Sequence, residues 1–147
     1  MFQKRFILIA LFVLTGMLNP GLQAQCKSFT KKKCMPGLAP FLSNGQLNTA
    51  TMLPGQSADM IMNFNSGMSY RIIVCGEGVL GQIEFQVSDA SGRVLFMNKS
   101  QDYAVDSWDF AVETTTQLTI TVKVPDQPDK TVLLEEGCVS VIVGFKK

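Results

Sequence analysis

From Ser57 onward, apolar and polar side chains alternate with a period of two in one short run after another. Ala58, Met60, Met62 and Phe64 are set against Asp59, Ile61 and Asn63, and Ile83, Phe85 and Val87 against Gln82, Glu84, Gln86 and Ser88. Trp108, Phe110 and Val112 then alternate with Asp109, Ala111 and Glu113. Leu118, Ile120, Val122 and Val124 alternate with Thr119, Thr121 and Lys123, and Val139, Val141, Val143 and Phe145 with Ser140, Ile142 and Gly144. An extended chain points successive side chains to opposite faces, so each run offers one face to a core and the other to its surroundings. Tyr70–Cys75 and Val94–Met97 complete seven expected strands; the former is apolar on both faces apart from Arg71, as in a central strand covered on both sides. Asn65-Ser66-Gly67 and Asp89-Ala90-Ser91-Gly92 supply turn chemistry. With no convincing helical period, the pattern predicts an all-β fold, an antiparallel β-sandwich of seven or eight strands.

The chain ahead of these strands divides in two. Lys4 and Arg5 precede an apolar run from Phe6 to Leu18, broken by Asn19 and Pro20. Such a run is too short for roughly 30 Å of hydrocarbon, which takes a helix of about 20 residues. A basic start, a short apolar middle and Ala24 before Gln25 make residues 1–24 an expected secretory signal, with an uncleaved anchor as the alternative. Gln25 is not the small residue that lipid attachment at Cys26 requires. Residues 25–54 are read as a disulfide-stapled segment, a loop from Cys26 to Pro40 followed by a candidate edge strand at Leu47, Thr49, Thr51 and Leu53. Together with a sandwich over residues 55–147 they form one domain. Loss of the signal leaves eleven basic and twelve acidic residues, a net charge of −1. That balance sets up no field to draw nucleic acid or an anionic membrane. The expected location is the periplasm, the outer surface or the medium, without a membrane-spanning segment.

The four cysteines are Cys26, Cys34, Cys75 and Cys138. In an exported chain an even number reads as two disulfides, with three pairings open. Cys26–Cys34 is local and Cys75–Cys138 would join two expected strands, which makes this the favoured pairing. A zinc site of four thiolates ordinarily shows C-x2-C pairs, and these spacings do not.

The stretch YRIIVCGEGVLGQIEF, residues 70–85, holds a G-x-G-x-x-G at Gly76, Gly78 and Gly81. In a dinucleotide site this turn opens a helix whose N-terminal amides meet the pyrophosphate. Here a period-two strand follows instead, so the glycines are expected in a hairpin loop.

Chemistry is thinly provided. The chain has no histidine, which removes Ser-His-Asp and Cys-His catalysis and most zinc and copper sites. Asp102, Asp106 and Asp109 frame Tyr103 and Trp108 in QDYAVDSWDF and form a candidate calcium loop, against a solvated loop with its aromatics in the core. Lys31, Lys32 and Lys33 form the one basic cluster, a candidate contact for an anionic surface or simply a solvated turn. Glu135 and Glu136 are adjacent and, in a strand, would face opposite ways rather than converge on a substrate. Asn98-Lys99-Ser100 fits a glycosylation sequon.

The succession MLPGQSADMIMNF, YRIIVC, IEFQVSDASGRVLF, the W-x-F strand at Trp108, TITVKV and VSVIVGF, from Met52 to Phe145, resembles the bacterial pre-peptidase C-terminal domain and related jelly-roll modules. It is also similar to small exported proteins of Bacteroidetes-type bacteria. The resemblance implies a non-catalytic module, in a family where some members bind calcium or polymeric ligands. This chain departs from it in standing without an enzyme domain and in its four cysteines.

These expectations describe a non-catalytic exported binding or structural module, first of all a protein-interaction subunit of a bacterial envelope whose open sheet edges a partner strand extends. The alternative is a carbohydrate or surface-polymer module, calcium-assisted at Asp102, Asp106 and Asp109, with Tyr103, Trp108 and Lys31–Lys33 as ligand contacts. No cofactor beyond calcium is expected. The expected partner is an envelope or extracellular protein or a surface polysaccharide, not nucleic acid. A carboxylate hydrolase lacks a convergent acid pair.

Overall fold

The computed structural model describes residues 21–100 and 106–147. Among them are nine strands: β1 (Leu42–Ser43), β2 (Asn48–Met52), β3 (Ser57–Phe64), β4 (Met68–Gly76), β5 (Glu84–Asp89), β6 (Val94–Met97), β7 (Ser107–Val112), β8 (Thr116–Lys123) and β9 (Gly137–Lys146). All pair antiparallel, in two sheets. The first runs β1-β9-β4-β7, with β2 sharing the β1 side of β9; the second runs β3-β8-β5-β6. The antiparallel β-sandwich expected from the period-two runs is thus the fold, and the candidate edge strand at residues 47–53 is β2.

The alternation places the core. Ile72 lies opposite Val143 and Trp108, and Val74 opposite Val141, on the inner face of the first sheet. Phe64, Phe85, Val87, Leu118, Ile120 and Val122 meet them from the second sheet in one buried cluster. The turn at Asp89–Gly92 closes the β5–β6 hairpin as its composition predicts. Asp89 Oδ1 accepts from the backbone amides of Ser91 and Arg93, each at 3.0 Å, and Gly92 takes φ +85°, a conformation open to glycine.

The outer faces of the two sheets differ. β8 is buried at alternate residues, whereas β9 is buried on both faces from Gly137 to Gly144. The cover over the first sheet is the segment read from sequence as a stapled loop. It is helical: α1 (Gly21–Phe29) begins inside the expected signal and continues through a π-helical turn, Thr30–Cys34, and a 3-10 turn, Met35–Leu38. Cys34 and Leu38, with Phe29, Met35 and Leu47, pack on Ile73, Cys75 and Ile142. Thr30 and Ser140, both fully buried, share a hydroxyl–hydroxyl hydrogen bond of 2.6 Å. Gly144 lets this layer come close, since a Cβ there would sit 2.8 Å from Leu38 Cδ2 and from Phe41 Cβ. The sequence expectation missed the helix because, among the described side chains of α1, Cys26 alone is buried, and nine residues are too few for a helical period to stand out.

The cysteine pairing is also corrected. Cys26 bonds Cys138 and Cys34 bonds Cys75, rather than Cys26–Cys34 and Cys75–Cys138. Cys75 and Cys138 do lie on neighbouring strands and on the same outer face. However, Cys75 stands opposite Ser140, so Cys138 is its diagonal neighbour, roughly 7–8 Å away and beyond the usual reach of a disulfide. Cys26 and Cys34, eight residues apart on a helical segment, are separated by about 12 Å of helix rise. Each therefore bonds downward to the sheet, with Cα–Cα distances of 5.3 Å for Cys26–Cys138 and 6.1 Å for Cys34–Cys75.

A third correction concerns the glycines. Residues 77–83 do not close a hairpin, because β4 and β5 belong to different sheets. Gly78–Leu80 makes a single 3-10 turn, Leu80 is buried in the core, and β5 follows without the helix that a dinucleotide site needs. The chain here crosses from one sheet to the other.

Candidate functional site

The residues singled out from sequence do not assemble into one site. Asp102 and Tyr103 lie outside the described residues. Asp106 is exposed, and its backbone carbonyl accepts from the Val74 amide at 2.8 Å. Both carboxylate oxygens of Asp109 accept from Arg71, Oδ1 from Nε and Oδ2 from Nη2, each at 2.7 Å. That bidentate bond raises the Arg71 guanidinium above its ordinary value. Arg71 Nη1 also donates to the carbonyls of Gly37 and Ala39, tying the end of the helical cover to the sheet. Asp109 thus serves the architecture, and among the described residues no three His, Cys, Asp or Glu side chains gather where an ion would sit.

Trp108 points inward. Its ring stacks on Phe110 at 4.3 Å and on Phe96 at 5.2 Å, continuing a ladder that runs from Phe85 through Phe96 and on to Phe64 and Tyr70. The ladder closes the side of the sandwich where β6 meets β7. A cleft of about 470 Å³ opens over it, rimmed by Arg93, Leu95, Glu113 and Thr116. Lys31, Lys32 and Lys33 are all exposed on the π-helical turn, over the opposite face of the first sheet. Asn98 of the sequon is buried: Oδ1 accepts from the Phe85 amide at 2.8 Å and Nδ2 donates to the Ile83 carbonyl at 2.9 Å. Its amide braces β5 and is not offered to a glycosylating enzyme.

Sequence reasoning passed over the segment between β8 and β9. Val132, Leu133 and Leu134 are 54%, 89% and 54% exposed, the most open apolar run among the described residues. Their loop is built rather than slack. Gln127 Nε2 spans it, donating to the carbonyls of Asp129 at 3.0 Å and Val132 at 3.4 Å. Asp129 Oδ1 accepts from the Thr131 hydroxyl at 2.6 Å and the Thr131 amide at 2.9 Å. These bonds, the hydroxyl first, hold the Asp129 carboxyl below its ordinary value. At the base, Glu77 Oε2 accepts from the Cys138 amide at 2.7 Å, and exposed Val79 lies against Gly137.

Glu135 and Glu136 also belong to this loop and not to a strand; both are exposed. Asp126, which pairs with Lys123 at 3.8 Å, and Asp129 precede the apolar run and Glu135 and Glu136 follow it, with Lys130 the one cation between residues 124 and 136. The clue in the sequence was TVLLEE, three apolar residues that join no alternating pattern and are bounded by turn chemistry and acids. Burying one leucine of this kind in a partner is worth roughly 1.5–3 kcal/mol.

The chain matches no protein-family model and no curated protein sequence. Among solved structures it is similar to PliG of Aeromonas hydrophila, a periplasmic lysozyme inhibitor of g-type lysozyme, at 12% identity and a TM-score of 0.48, over 73% of this chain and 89% of that one. It is also similar to a de novo designed double-stranded β-helix, at 13% identity and a TM-score of 0.35, over 69% of this chain and 99% of the other.

Proposed function

We propose that this protein is an exported, non-catalytic interaction module that docks a partner protein through the Val132–Leu134 loop. The observation that carries this is Leu133, 89% exposed on a hydrogen-bonded loop and flanked along the chain by Asp129, Glu135 and Glu136. Monomeric surfaces tolerate scattered apolar residues, but three in succession on a braced loop are an anchor in need of a pocket. The acidic surround calls for a pocket with a basic rim, which would speed encounter and make binding salt-sensitive. Two disulfides support a life in an oxidising compartment: the periplasm, the outer surface or the medium. The polysaccharide alternative draws no support from Trp108, whose ring is stacked on Phe96 and Phe110.

The test is capture from the envelope fraction of the source organism with immobilised wild type and Leu133→Asp, at low and high salt. Wild type should retain one stoichiometric, basic protein, and Leu133→Asp should retain at least about tenfold less of it with the fold intact by circular dichroism. Equal capture by both proteins, or capture of polysaccharide instead, would rule out the loop as the docking element.

A further inference from the structure

We infer that the free edge of β3 pairs with β3 of a second copy, joining two second sheets into one continuous eight-stranded sheet. This rests on the strand edge and not on the Val132–Leu134 loop, so either can fail without the other.

Among the described residues β3 pairs with β8 alone, in eight consecutive unbroken register pairs from Ser57↔Lys123 to Phe64↔Thr116. Its far side therefore presents a row of backbone donors and acceptors. Exposed edges are ordinarily blunted by brevity, bulges, lysine or proline. Two of the other three edges carry such protection, and the remaining one, β7, which pairs with β4 alone, is two residues shorter than β3. β6 has four residues and a register shift against β5, and the β1–β2 edge is split by residues 44–47. β3 has eight residues and no bulge, lysine or proline, and its one charged side chain, Asp59, is bonded to Thr121 within the sheet.

The side chains select both the partner and the register. Met60 and Met62 point into the core but stay only half-buried, because nothing continues the sheet beyond them. Ile61, on the outer face, is 63% exposed. Antiparallel pairing of two copies about a two-fold axis keeps both inner faces on one side only if the axis passes through a residue position. Centred on Met60 it would set Ile61 against Asp59, and centred on Met62 it would set Ile61 against Asn63. Centred on Ile61 it sets Ile61 against Ile61, Met60 against Met62, and Asp59 against Asn63 on both flanks. This is the one register that matches apolar with apolar, and carboxylate with amide, throughout. The intrachain bonds survive it. Asp59 Oδ1 accepts from Thr121 at 2.6 Å and Asn63 Oδ1 from Gln117 at 3.2 Å, which leaves Asp59 Oδ2 and Asn63 Nδ2 oriented to each other's chemistry across the axis.

The experiment is sedimentation velocity on the exported, disulfide-bonded chain over a concentration series up to about 1 mM, comparing wild type, Ile61→Lys, Asn63→Asp and the double variant Asp59→Asn/Asn63→Asp. Wild type is expected to dimerise reversibly. Ile61→Lys and Asn63→Asp are each expected to weaken the dimer at least about tenfold, the latter by opposing Asp59 to a second carboxylate. The double variant restores the carboxylate–amide match and should dimerise within about threefold of wild type. Both acidic-flank variants keep the bonds to Thr121 and Gln117, so a merely structural effect would not be rescued by the swap. A wild type that stays monomeric throughout overturns the inference, as would a dimer indifferent to Asn63→Asp or one lost again in the double variant. Binding of a different protein's strand at this edge, with no self-association, would overturn it too.

Discussion

Ile142 and Ile61 both point away from the central core, one from the first sheet and one from the second, yet the former is 1% exposed and the latter 63%. The difference lies in what crosses each sheet. Over Ile142 and Ile73 lies the helical segment from Gly21 to Leu38, bonded to the sheet through Cys138 and Cys75. Over Ile61 there is no further layer among the described residues, and its neighbours are Asp59, Asn63, Thr119 and Thr121. A β-sandwich of this size thus has one face that has become interior and one that has stayed a surface. The covered face has lost the freedom to engage anything, whereas the uncovered face, the loop at Leu133 and the open edges remain accessible.

The largest test of this contrast removes the covalent hold. Replacing Cys26 and Cys138 by alanine should cost roughly 5 kcal/mol by the loop-closure relation, and replacing Cys34 and Cys75 roughly 4, since they enclose 112 and 41 residues of separation. Urea denaturation of each double variant measures it. Losses below about 1 kcal/mol in both would mean that packing on Ile73 and Ile142, and not the bridges, holds the cover in place.

A smaller effect comes from matching truncations on the two outer faces. Ile142→Ala should destabilise by about 2–5 kcal/mol because it leaves a cavity under the cover. Ile61→Ala should stay within about 0.5 kcal/mol in dilute solution. Similar losses from both would break the comparison outright.

The smallest effect is a pH dependence at the β5–β6 hairpin of the uncovered sheet. The hydroxyl of Ser91 first, then the backbone amides of Arg93 and Ser91, hold the Asp89 carboxyl below its ordinary value. A carboxyl with a depressed folded value stabilises the folded state at neutral pH and loses that contribution as pH falls through the folded value. Acid titration below about pH 4 should therefore lower amide protection, relative to the intrinsic exchange rate, in the β5–β6 hairpin before it does so in β4 or β9. Asp89→Asn should remove that pH dependence, and an unchanged profile would refute the assignment.

Much of this architecture was legible residue by residue. Thr119, Thr121 and Lys123 announce a face left uncovered, and the double apolar character of Tyr70–Cys75 announces one that is covered. Both follow from which side of a pleat a side chain takes. The turn at Asp89–Gly92 was equally local. The candidate site was much less visible. Asp109 reads in the sequence as a candidate calcium ligand, and nothing there shows that Arg71, 38 residues away, donates to both its carboxylate oxygens. Asn98 looked like a sugar acceptor until the backbones of Ile83 and Phe85 claimed its amide. TVLLEE carried no alternating pattern, and its importance rests on the absence of burial, which only the surrounding layers define.

The sequence by itself determined the strands, the inward set of side chains and the division into two kinds of face, because an extended backbone converts spacing directly into direction. The tertiary structure alone decided that the segment around Cys26 and Cys34 is a helix lying across the first sheet. It also decided that Cys75 and Cys138, neighbours on adjoining strands, bond to that helix and not to each other. A two-residue offset in register and the arrival of a distant segment settle such choices, and neither is written in the spacing of residues along the chain.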